Sequence, residues 1–462
     1  MEAMVKKYIL PDSIGAPWAR KMALSLIAPL CILALRPLGL TLRQSGVLAA
    51  VVLTIIWWSA DIVKKIPASF FLLAVFWAVS GAGFRKVFSF PLSETFPMLV
   101  VTYLFSRAIS NAGISERMIQ PVLERTVHTA FACIPAVIVT FFLMIYVVPQ
   151  PLARLIIVAG IFENFLKKAR LPADTRSVLL FAVFLFYAVV NMSAKDADLI
   201  MNYVAADFSP VEITNGIWAR EMLVPTIAVC LLVAGLFCGL FYRQLAGRRI
   251  SVERGEARPF SKQEKLSAVI IFTTVLLWMT QGIHGINSTL ITLVSVLLLF
   301  GIKTLRIRDV SAIDGTTLIF LTAAFSIGGV MEACGAADKV FGLFAGVFPE
   351  KFSVVYLWIM VGITMALHML LGSNTTALSV AIPGMLILCE GQVPPEVIVF
   401  TAIVSVSFHT ILPFHSGAMM IGAANGYFPA GYVAKFGLPA TFLVYLAAAA
   451  VYLPYWKLTG LL

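Results

Sequence analysis

The sequence predicts an all-α integral membrane protein with about 11 transmembrane helices, two re-entrant hairpins and two inverted repeats. Of the 462 residues, 60% are hydrophobic and 12% are charged, and the mean hydropathy is +0.95. A soluble domain carries about 25% charged residues. This chain therefore cannot hide its apolar residues in a water-soluble core, which excludes disordered, fibrous and cytosolic proteins. Its apolar runs are long and lack strand-type alternation, which favours helices over a membrane barrel.

The transmembrane helices are assigned to apolar runs, because one crossing needs about 20 mostly apolar residues. An amphipathic segment, Ala112–Arg125, follows the fourth run. The runs before the polar linker are Met22–Arg36, Ser45–Val63, Ile66–Gly83, Pro91–Ser110, Ser177–Met201 and Glu221–Tyr242, and those after it are Lys265–Gln281, Thr289–Gly301, Thr316–Gly335, Pro395–Ala424 and Val433–Trp456.

Two further apolar runs are too long for one crossing and are broken near the middle. His128–Leu166 is interrupted by Val148-Pro149-Gln150-Pro151, and Phe352–Cys389 is interrupted by the segment Gly372–Thr376. Non-helical backbone at membrane depth is tolerated only where it is buried in protein or lines a water-filled cavity. We therefore predict re-entrant hairpins over 128–166 and 352–389, with a binding site at their tips. A kinked ordinary helix is the alternative for each run.

The order of features repeats in the two halves of the chain. Each half has a broken hairpin followed by a span with a polar interruption, Asn191–Asp198 in the first half and His409–Gly417 in the second. Similarly placed interruptions are typical of inverted repeats with a binding site between them. The expected organisation is residues 1–242 for the first repeat with its N-terminal spans, 243–265 for a linker and 266–462 for the second repeat.

The charges predict the topology. The net charge is +11, but the basic residues are scattered between apolar runs, so we expect no nucleic-acid partner. Positive residues usually flank spans on the cytoplasmic side, and the linker 243–265 carries seven basic residues against three acidic ones. Lys6, Lys7 and Lys64 agree with this side. The N-terminus is therefore predicted to be cytoplasmic and the C-terminus external. The expected membrane is the bacterial inner membrane.

The second hairpin tip has the chemistry of a binding site. Ser373, Asn374 and Thr375 offer neutral oxygen atoms, and Gly372 permits an open backbone. Helix ends that meet at such a tip present carbonyls to a cation and amides to a carboxylate. The alternative is a helix-packing patch of small residues.

Here the chain resembles the divalent anion/sodium symporters of the ion transporter superfamily. Ser373-Asn374-Thr375, followed by Ala381-Ile382-Pro383, is similar to the family's SNT motif, and Thr317–Val330 is similar to its glycine-rich span. Leu412–Gly417 stands where the family has its second unwound segment. The resemblance implies substrate carboxylates held by two tips, sodium bound at each tip, a homodimer and an elevator-like motion.

The first half departs from the family pattern. Its tip reads Pro149-Gln150-Pro151 rather than SNT, and it is followed by Arg154. Ionisable residues at membrane depth are costly and usually functional. We expect Arg154, or Lys195 in the interrupted span, to supply the positive charge that sodium supplies in relatives. Gln150 is a further substrate-binding candidate, and Lys195 and Asp196 are candidates for coupling. A local pair of Lys195 with Asp196 or Asp198 at a helix end is the alternative.

Three histidines lie near the second site. His415 is the substrate-binding candidate because it stands in the unwound segment, with Ser416 beside it as a possible ion ligand. For His368 a ring bonded to a helix carbonyl is preferred, and a zinc site is not expected. The candidate ion ligands are Gly372, Ser373, Asn374 and Ser416.

Together these features predict a secondary transporter of a small organic anion, a di- or tricarboxylate, driven by sodium, protons or exchange. The chain has no P-loop and no HExxH motif, so neither an ATP-driven pump nor an enzyme is expected. No cofactor is expected apart from sodium. The alternatives are a cation/proton antiporter using Asp196 and Asp198, a carrier of an inorganic oxyanion, a membrane enzyme acting on lipids, and a channel.

Overall fold

The computed structural model describes residues 16–60, 62–93, 95–252, 261–371 and 374–462. Gly372 and Ser373 of the predicted second tip, Lys6 and Lys7 of the N-terminus, and Arg254 and Arg258 of the linker lie outside the described residues. Within those ranges the chain is helical and forms no strand; an isolated bridge pairs Thr129 with Arg249.

The described residues of the first half form twelve α-helices. In chain order they are α1 Ala16–Leu35, α2 Leu42–Ala60, α3 Lys65–Val75, α4 Phe84–Val87, α5 Thr95–Ala112, α6 Ile114–Thr126, α7 Ala130–Val147, α8 Pro151–Lys168, α9 Ala173–Val190, α10 Met201–Asp207, α11 Asn215–Leu240 and α12 Tyr242–Leu245.

In the second half, eleven α-helices lie within the described ranges. They are α13 Lys262–Met279, α14 Gln281–His284, α15 Ser288–Gly301, α16 Gly315–Ala333, α17 Ala336–Phe341, α18 Val354–Leu371, α19 Asn374–Leu388, α20 Pro395–Ser407, α21 Gly417–Ala424, α22 Gly431–Ala447 and α23 Leu453–Thr459.

Both long apolar runs fold back on themselves. In the first, Val148–Gln150 separates α7 from α8, and Lys168 at the end of α8 returns to Glu124 with 3.2 Å between its Nζ and the carboxylate. In the second, α18 ends at Leu371 and α19 begins at Asn374, and Tyr356 near the start of α18 lies beside Cys389 just after α19. Each run is therefore an antiparallel helix pair with its tip inside the molecule.

The two helix pairs are rooted at opposite ends of the molecule. The backbone N–H of Ala130 donates to the carbonyl of Arg248 at 3.0 Å, and the N–H of Ile250 donates to the carbonyl of His128 at 2.8 Å. The first pair therefore begins beside the linker. We call this end the linker face. Helix α13 carries the chain away from it by about 27 Å, from 18 residues at 1.5 Å each. At its far end, Asn287 caps the start of α15. Asn287 and Pro394, which follows the second helix pair, line the same cavity, so the second pair begins and ends there. That end is called the opposite face.

The two polar interruptions are unwound. After α9 the chain makes two 3-10 turns, Asn191–Ser193 and Lys195–Ala197, before α10 begins. After α20 it makes one, Pro413–His415, before α21 begins. Helix α9 leads into the first interruption through the centre of the protein: an 18-residue stretch within 173–193 is 83% buried, against 11% for residues 18–35 in α1.

Six helical segments among the described residues are long and apolar enough to cross a membrane. Helix α15 covers the whole predicted run 289–301 but has 14 residues, fewer than one crossing needs. The predicted spans 66–83 and 395–424 form shorter helices, because a π-turn follows α3 and an unwound segment follows α20. The integral-membrane, all-helical class stands, and the larger number of crossings stays a prediction.

Candidate functional site

Arg154 lies in the first turn of α8, and its side chain is completely buried. One terminal nitrogen donates to the carbonyl of Val148 at 2.8 Å, in the break of the same hairpin. The other donates to Asn191 Oδ1 at 2.7 Å and to the carbonyl of Ala197, both in the unwound segment. Three neutral oxygen atoms therefore surround the guanidinium, and they join the first tip to the unwound segment.

Asn191 connects this guanidinium to a carboxylate. Its amide nitrogen donates to Asp198 Oδ2 over 3.4 Å, while its oxygen accepts from Arg154. The other carboxylate oxygen of Asp198 accepts from the backbone N–H groups of Ile200 and Met201, at 3.1 and 2.8 Å, and so caps α10. The buried positive charge thus has a buried negative charge one side chain away. A buried charge without such compensation would be costly.

Two further side chains hold the unwound segment and were not found from the sequence. Asn202 donates to the carbonyls of Asn191 and Ala194, at 2.8 and 2.9 Å, and Trp218 donates to the carbonyl of Met192 at 2.9 Å. Both side chains are fully buried. An asparagine inside an apolar run was the available signal for Asn202, because buried amides need partners; nothing local marked Trp218.

Gln150 is used as a helix cap. Its side-chain oxygen accepts from the N–H of Ala153 at the start of α8, and its own N–H donates to Ser106 Oγ at 3.2 Å. The side chain is buried, with 5% exposure. Its amide oxygen is therefore already engaged by backbone.

Lys195 and Asp196 lie apart from the Arg154 cluster. Lys195 donates to the carbonyl of Ile213 at 2.9 Å and lies 4.8 Å from the centre of the Tyr203 ring. Asp196 accepts from the Tyr203 hydroxyl at 2.5 Å and from Asn215 at 2.8 Å. The structure thus places Arg154 at the first tip and Lys195 in a cavity wall near the opposite face.

The second tip approaches the first unwound segment through Asn374. This residue begins α19, and its amide nitrogen lies 3.7 Å from the sulfur of Met201, the first residue of α10. Thr375 follows it, half-buried. Because Met201 is also held by Asp198, the first tip, the first unwound segment and the second tip form one continuous cluster.

Three of the second-half histidines, His368, His409 and His415, come together next to this tip. Their exposures are 0% for His368, 2% for His409 and 4% for His415. The ring of His368 lies 6.1 Å from that of His409 and 6.0 Å from that of His415. His368 Nε2 lies 3.0 Å from the carbonyl of His415, as the expected helix-carbonyl type of bond. Ser416 is buried beside them.

A cavity of about 1460 Å³ opens on the opposite face, beside the base of the second helix pair. Its wall carries one basic side chain, Lys195, and the five carboxylates of Asp207, Glu212, Glu332, Asp338 and Glu390. No group of three or more His, Cys, Asp or Glu side chains in the described part of the chain could hold a metal ion.

Comparison with known proteins places this geometry in a family. The family described as the sodium:sulfate symporter transmembrane region matches residues 16–462. The fold is similar to that of a solved structure described as the Alcanivorax borkumensis YdaH transporter, with a TM-score of 0.57, 15% identity, and coverage of 89% of this chain and 98% of that one. A search of curated proteins returned no match. The matched length, which spans both hairpins and both unwound segments, confirms the resemblance drawn from Ser373-Asn374-Thr375: this chain is an integral membrane protein of the sodium:sulfate symporter family, the divalent anion/sodium symporters.

Proposed function

We propose that the protein is a secondary active transporter of a small organic anion of the di- or tricarboxylate type, which binds between the two hairpin tips. The observation that carries the proposal is the buried Arg154 cluster, which meets Asn374 of the second tip at Met201. One side of this junction offers a guanidinium held among neutral oxygen atoms, and the other offers an amide and the hydroxyl of Thr375. Cationic and neutral polar groups of this kind suit a carboxylate.

In the first half, the positive charge of Arg154 replaces that of a bound cation. Its partners are two backbone carbonyls and one amide oxygen, which are also the oxygen types that unwound helices present to sodium. A guanidinium is always charged, so the first half keeps its positive charge without binding an ion. Sodium then remains a candidate for the second half alone, near Asn374 and Ser416.

The opposite rooting of the two helix pairs supports the inverted-repeat organisation of 1–242 and 266–462. Inverted repeats put the binding site near the middle of the membrane, where it can be reached from either face in turn. The proposal includes the homodimer and the elevator-like motion that the family resemblance implies, a bacterial inner membrane, a cytoplasmic N-terminus and an external C-terminus.

The carboxylates of the unwound segment argue for anion transport over cation/proton exchange. Asp198 caps α10 and compensates Arg154 through Asn191, while Asp196 holds Tyr203 and Asn215. Both have structural partners. The family description makes sulfate the second candidate substrate.

A thermal-unfolding panel of the purified full-length chain tests the proposal. Succinate, citrate, malate and sulfate are each added in sodium and in potassium. An anion at about 100 times its dissociation constant stabilises the fold by about 2.7 kcal/mol. We expect a carboxylate to raise the melting temperature of the wild type and of Arg125→Gln, whose arginine is exposed near the linker face, and not of Arg154→Gln.

If sulfate alone stabilised the protein, the proposed substrate would be an inorganic oxyanion and not a carboxylate. Stabilisation of Arg154→Gln equal to that of the wild type would remove Arg154 from the site. A response to sodium with none to any anion would favour the cation antiporter.

A further inference from the structure

The hydrogen bonds of the second-half histidines fix where their protons lie when the rings are neutral. His368 Nε2 faces a carbonyl oxygen, that of His415, which can only accept, so this nitrogen carries the hydrogen. The other nitrogen of His368, Nδ1, is then a bare lone pair. It is buried and has no hydrogen-bond partner within 3.5 Å in the described ranges, and the Asn374 side chain and the His409 backbone lie close to the ring.

The same reasoning applies to His409. Its Nε2 lies 3.2 Å from Thr441 Oγ1, and that hydroxyl donates its own hydrogen to the carbonyl of Gly437 at 3.1 Å. With its hydrogen directed to Gly437, Thr441 Oγ1 accepts from His409 Nε2. The Nδ1 atom of His409 is left as a second buried lone pair, again without a partner among the residues described.

The surroundings of the two rings contain other neutral groups. His368 neighbours Asn374 at the start of α19, His415 in the unwound segment and His409 across 6.1 Å. His409 faces His368, His415 and Thr441 of α22. In the part of the chain that is described, neither His368 nor His409 forms an ion pair with a carboxylate. The Nδ1 atoms of His368 and His409 are therefore basic nitrogens without acidic neighbours, and no structural hydrogen bond occupies them.

We propose that the His368–His409 pair is a proton-binding site and that it couples anion transport to protons. The inference rests on the proposed function and adds its coupling ion. The first half carries a permanent cation in Arg154, and the second half carries one that can be loaded and unloaded. A proton on either Nδ1 makes one imidazolium; two imidazoliums so close together would repel each other, so the pair takes a single proton.

The position of the pair explains how the proton and the anion would assist each other. His368 is on the arm of the second hairpin, and His409 is in the unwound segment, so the proton lies beside Asn374 at the proposed substrate position. A buried charge without a counter-ion is costly. An anion at the tip lowers the cost of the imidazolium, and by reciprocity the imidazolium strengthens anion binding by the same factor.

Proton movement in proteoliposomes tests the coupling. Vesicles containing the full-length protein and an internal pH dye receive external succinate, citrate, malate or sulfate. We expect an anion that enters to acidify the lumen, and its affinity to rise about tenfold from about pH 8 to about pH 6. His409→Gln and His368→Gln should lose the acidification and the pH dependence. His128→Gln, whose imidazole is exposed at the linker face, is the matched control.

The glutamine variants are chosen because their amide nitrogen replaces the Nε2 donor that each ring uses. If His368→Gln does not fold, His409→Gln carries the test, because its ring bonds only a threonine hydroxyl among the described residues. Anion entry without acidification, or unchanged acidification in His409→Gln, would overturn the proposal.

If none of the four anions enters, the proposed substrate class fails, and the proton site is tested by itself. Nitrogen-15 spectra of histidine-labelled protein then follow the Nδ1 atoms from about pH 8 to about pH 5. Protonation of one Nδ1 that disappears in His409→Gln would support the proton site. Two Nδ1 atoms that stay bare at the lower pH would overturn it.

Discussion

At the scale of single residues, Arg154 shows how a membrane protein makes a buried charge tolerable. Its guanidinium donates to two backbone carbonyls and one amide oxygen. Asn191, which supplies that amide oxygen, also donates to Asp198 and so connects the guanidinium to a carboxylate. Arginine suits this task because its donors point in fixed directions from a planar group. A lysine at this position has one nitrogen and could not reach all three acceptors with the same geometry.

Removing the guanidinium should make the protein respond to sodium. In Arg154→Ala the carbonyls of Val148 and Ala197 and the oxygen of Asn191 lose their donor, and each buried unsatisfied group costs about 1–3 kcal/mol. Sodium can satisfy such oxygen atoms. We expect the melting temperature of Arg154→Ala to fall, and to recover more in sodium than in potassium. The wild type, measured in the same salts, is the reference, and an equal sodium response in both would contradict the role given to Arg154.

Asp196 provides a second residue-scale prediction. An asparagine there keeps one oxygen to accept from Tyr203 or Asn215, the two partners of the carboxylate. We expect Asp196→Asn to keep anion uptake within about tenfold of the wild type, since it loses only structural hydrogen bonds worth about 1.5–3 kcal/mol. The measurement is radiolabelled anion uptake in proteoliposomes. Complete loss of anion uptake would contradict the purely structural role given to Asp196.

At the scale of elements, α22 supports the second unwound segment by direct backbone contact. A Cβ atom at Gly437 would lie 2.0 Å from the carbonyl oxygen of Thr410, which follows His409. Only a glycine lets the helix approach the segment this closely. The same turn of α22 supplies Thr441, which bonds His409, so helix packing and histidine placement depend on each other.

Gly437→Ala should therefore push the unwound segment away from α22. Overpacking of this kind costs about 1–3 kcal/mol, and we expect a lower melting temperature together with weaker anion stabilisation. Gly431→Ala is the matched control, because it is in the same helix and a Cβ there meets nothing within 4 Å. Equal melting temperatures for the two variants would show that the segment can yield without cost.

At the scale of the whole molecule, the helix ends sort into two faces. The linker, the base of the first helix pair and the start of α13 share one face. The cavity, the base of the second pair and the cap of α15 share the other. The proposed function uses this arrangement, because alternating access needs a binding site that can be reached from each face in turn.

Cysteine labelling of intact cells tests the faces. Glu212 is exposed at the cavity wall and Arg125 is exposed near the linker. In a background whose six free cysteines are replaced by alanine, an impermeant maleimide should label Glu212→Cys and leave Arg125→Cys unlabelled until the cells are opened. The reverse pattern would invert the proposed topology.

The sequence by itself determined the membrane class, the two broken hairpins, the two unwound segments and the family. These features are local: hydropathy counts apolar residues in a run, and prolines or polar residues break helices where they stand. It also marked Arg154, Asn374 and His415 as polar residues beside those breaks.

Only the tertiary structure decided which of these polar residues meet. Arg154 finds its partners at positions 191 and 197, Lys195 turns away to Ile213, and His368 joins His409 across the second half. A buried polar group must be satisfied by whatever the fold brings within hydrogen-bond distance. That distance depends on how helices pack, and hydrophobic periodicity carries no information about which distant helix supplies the partner.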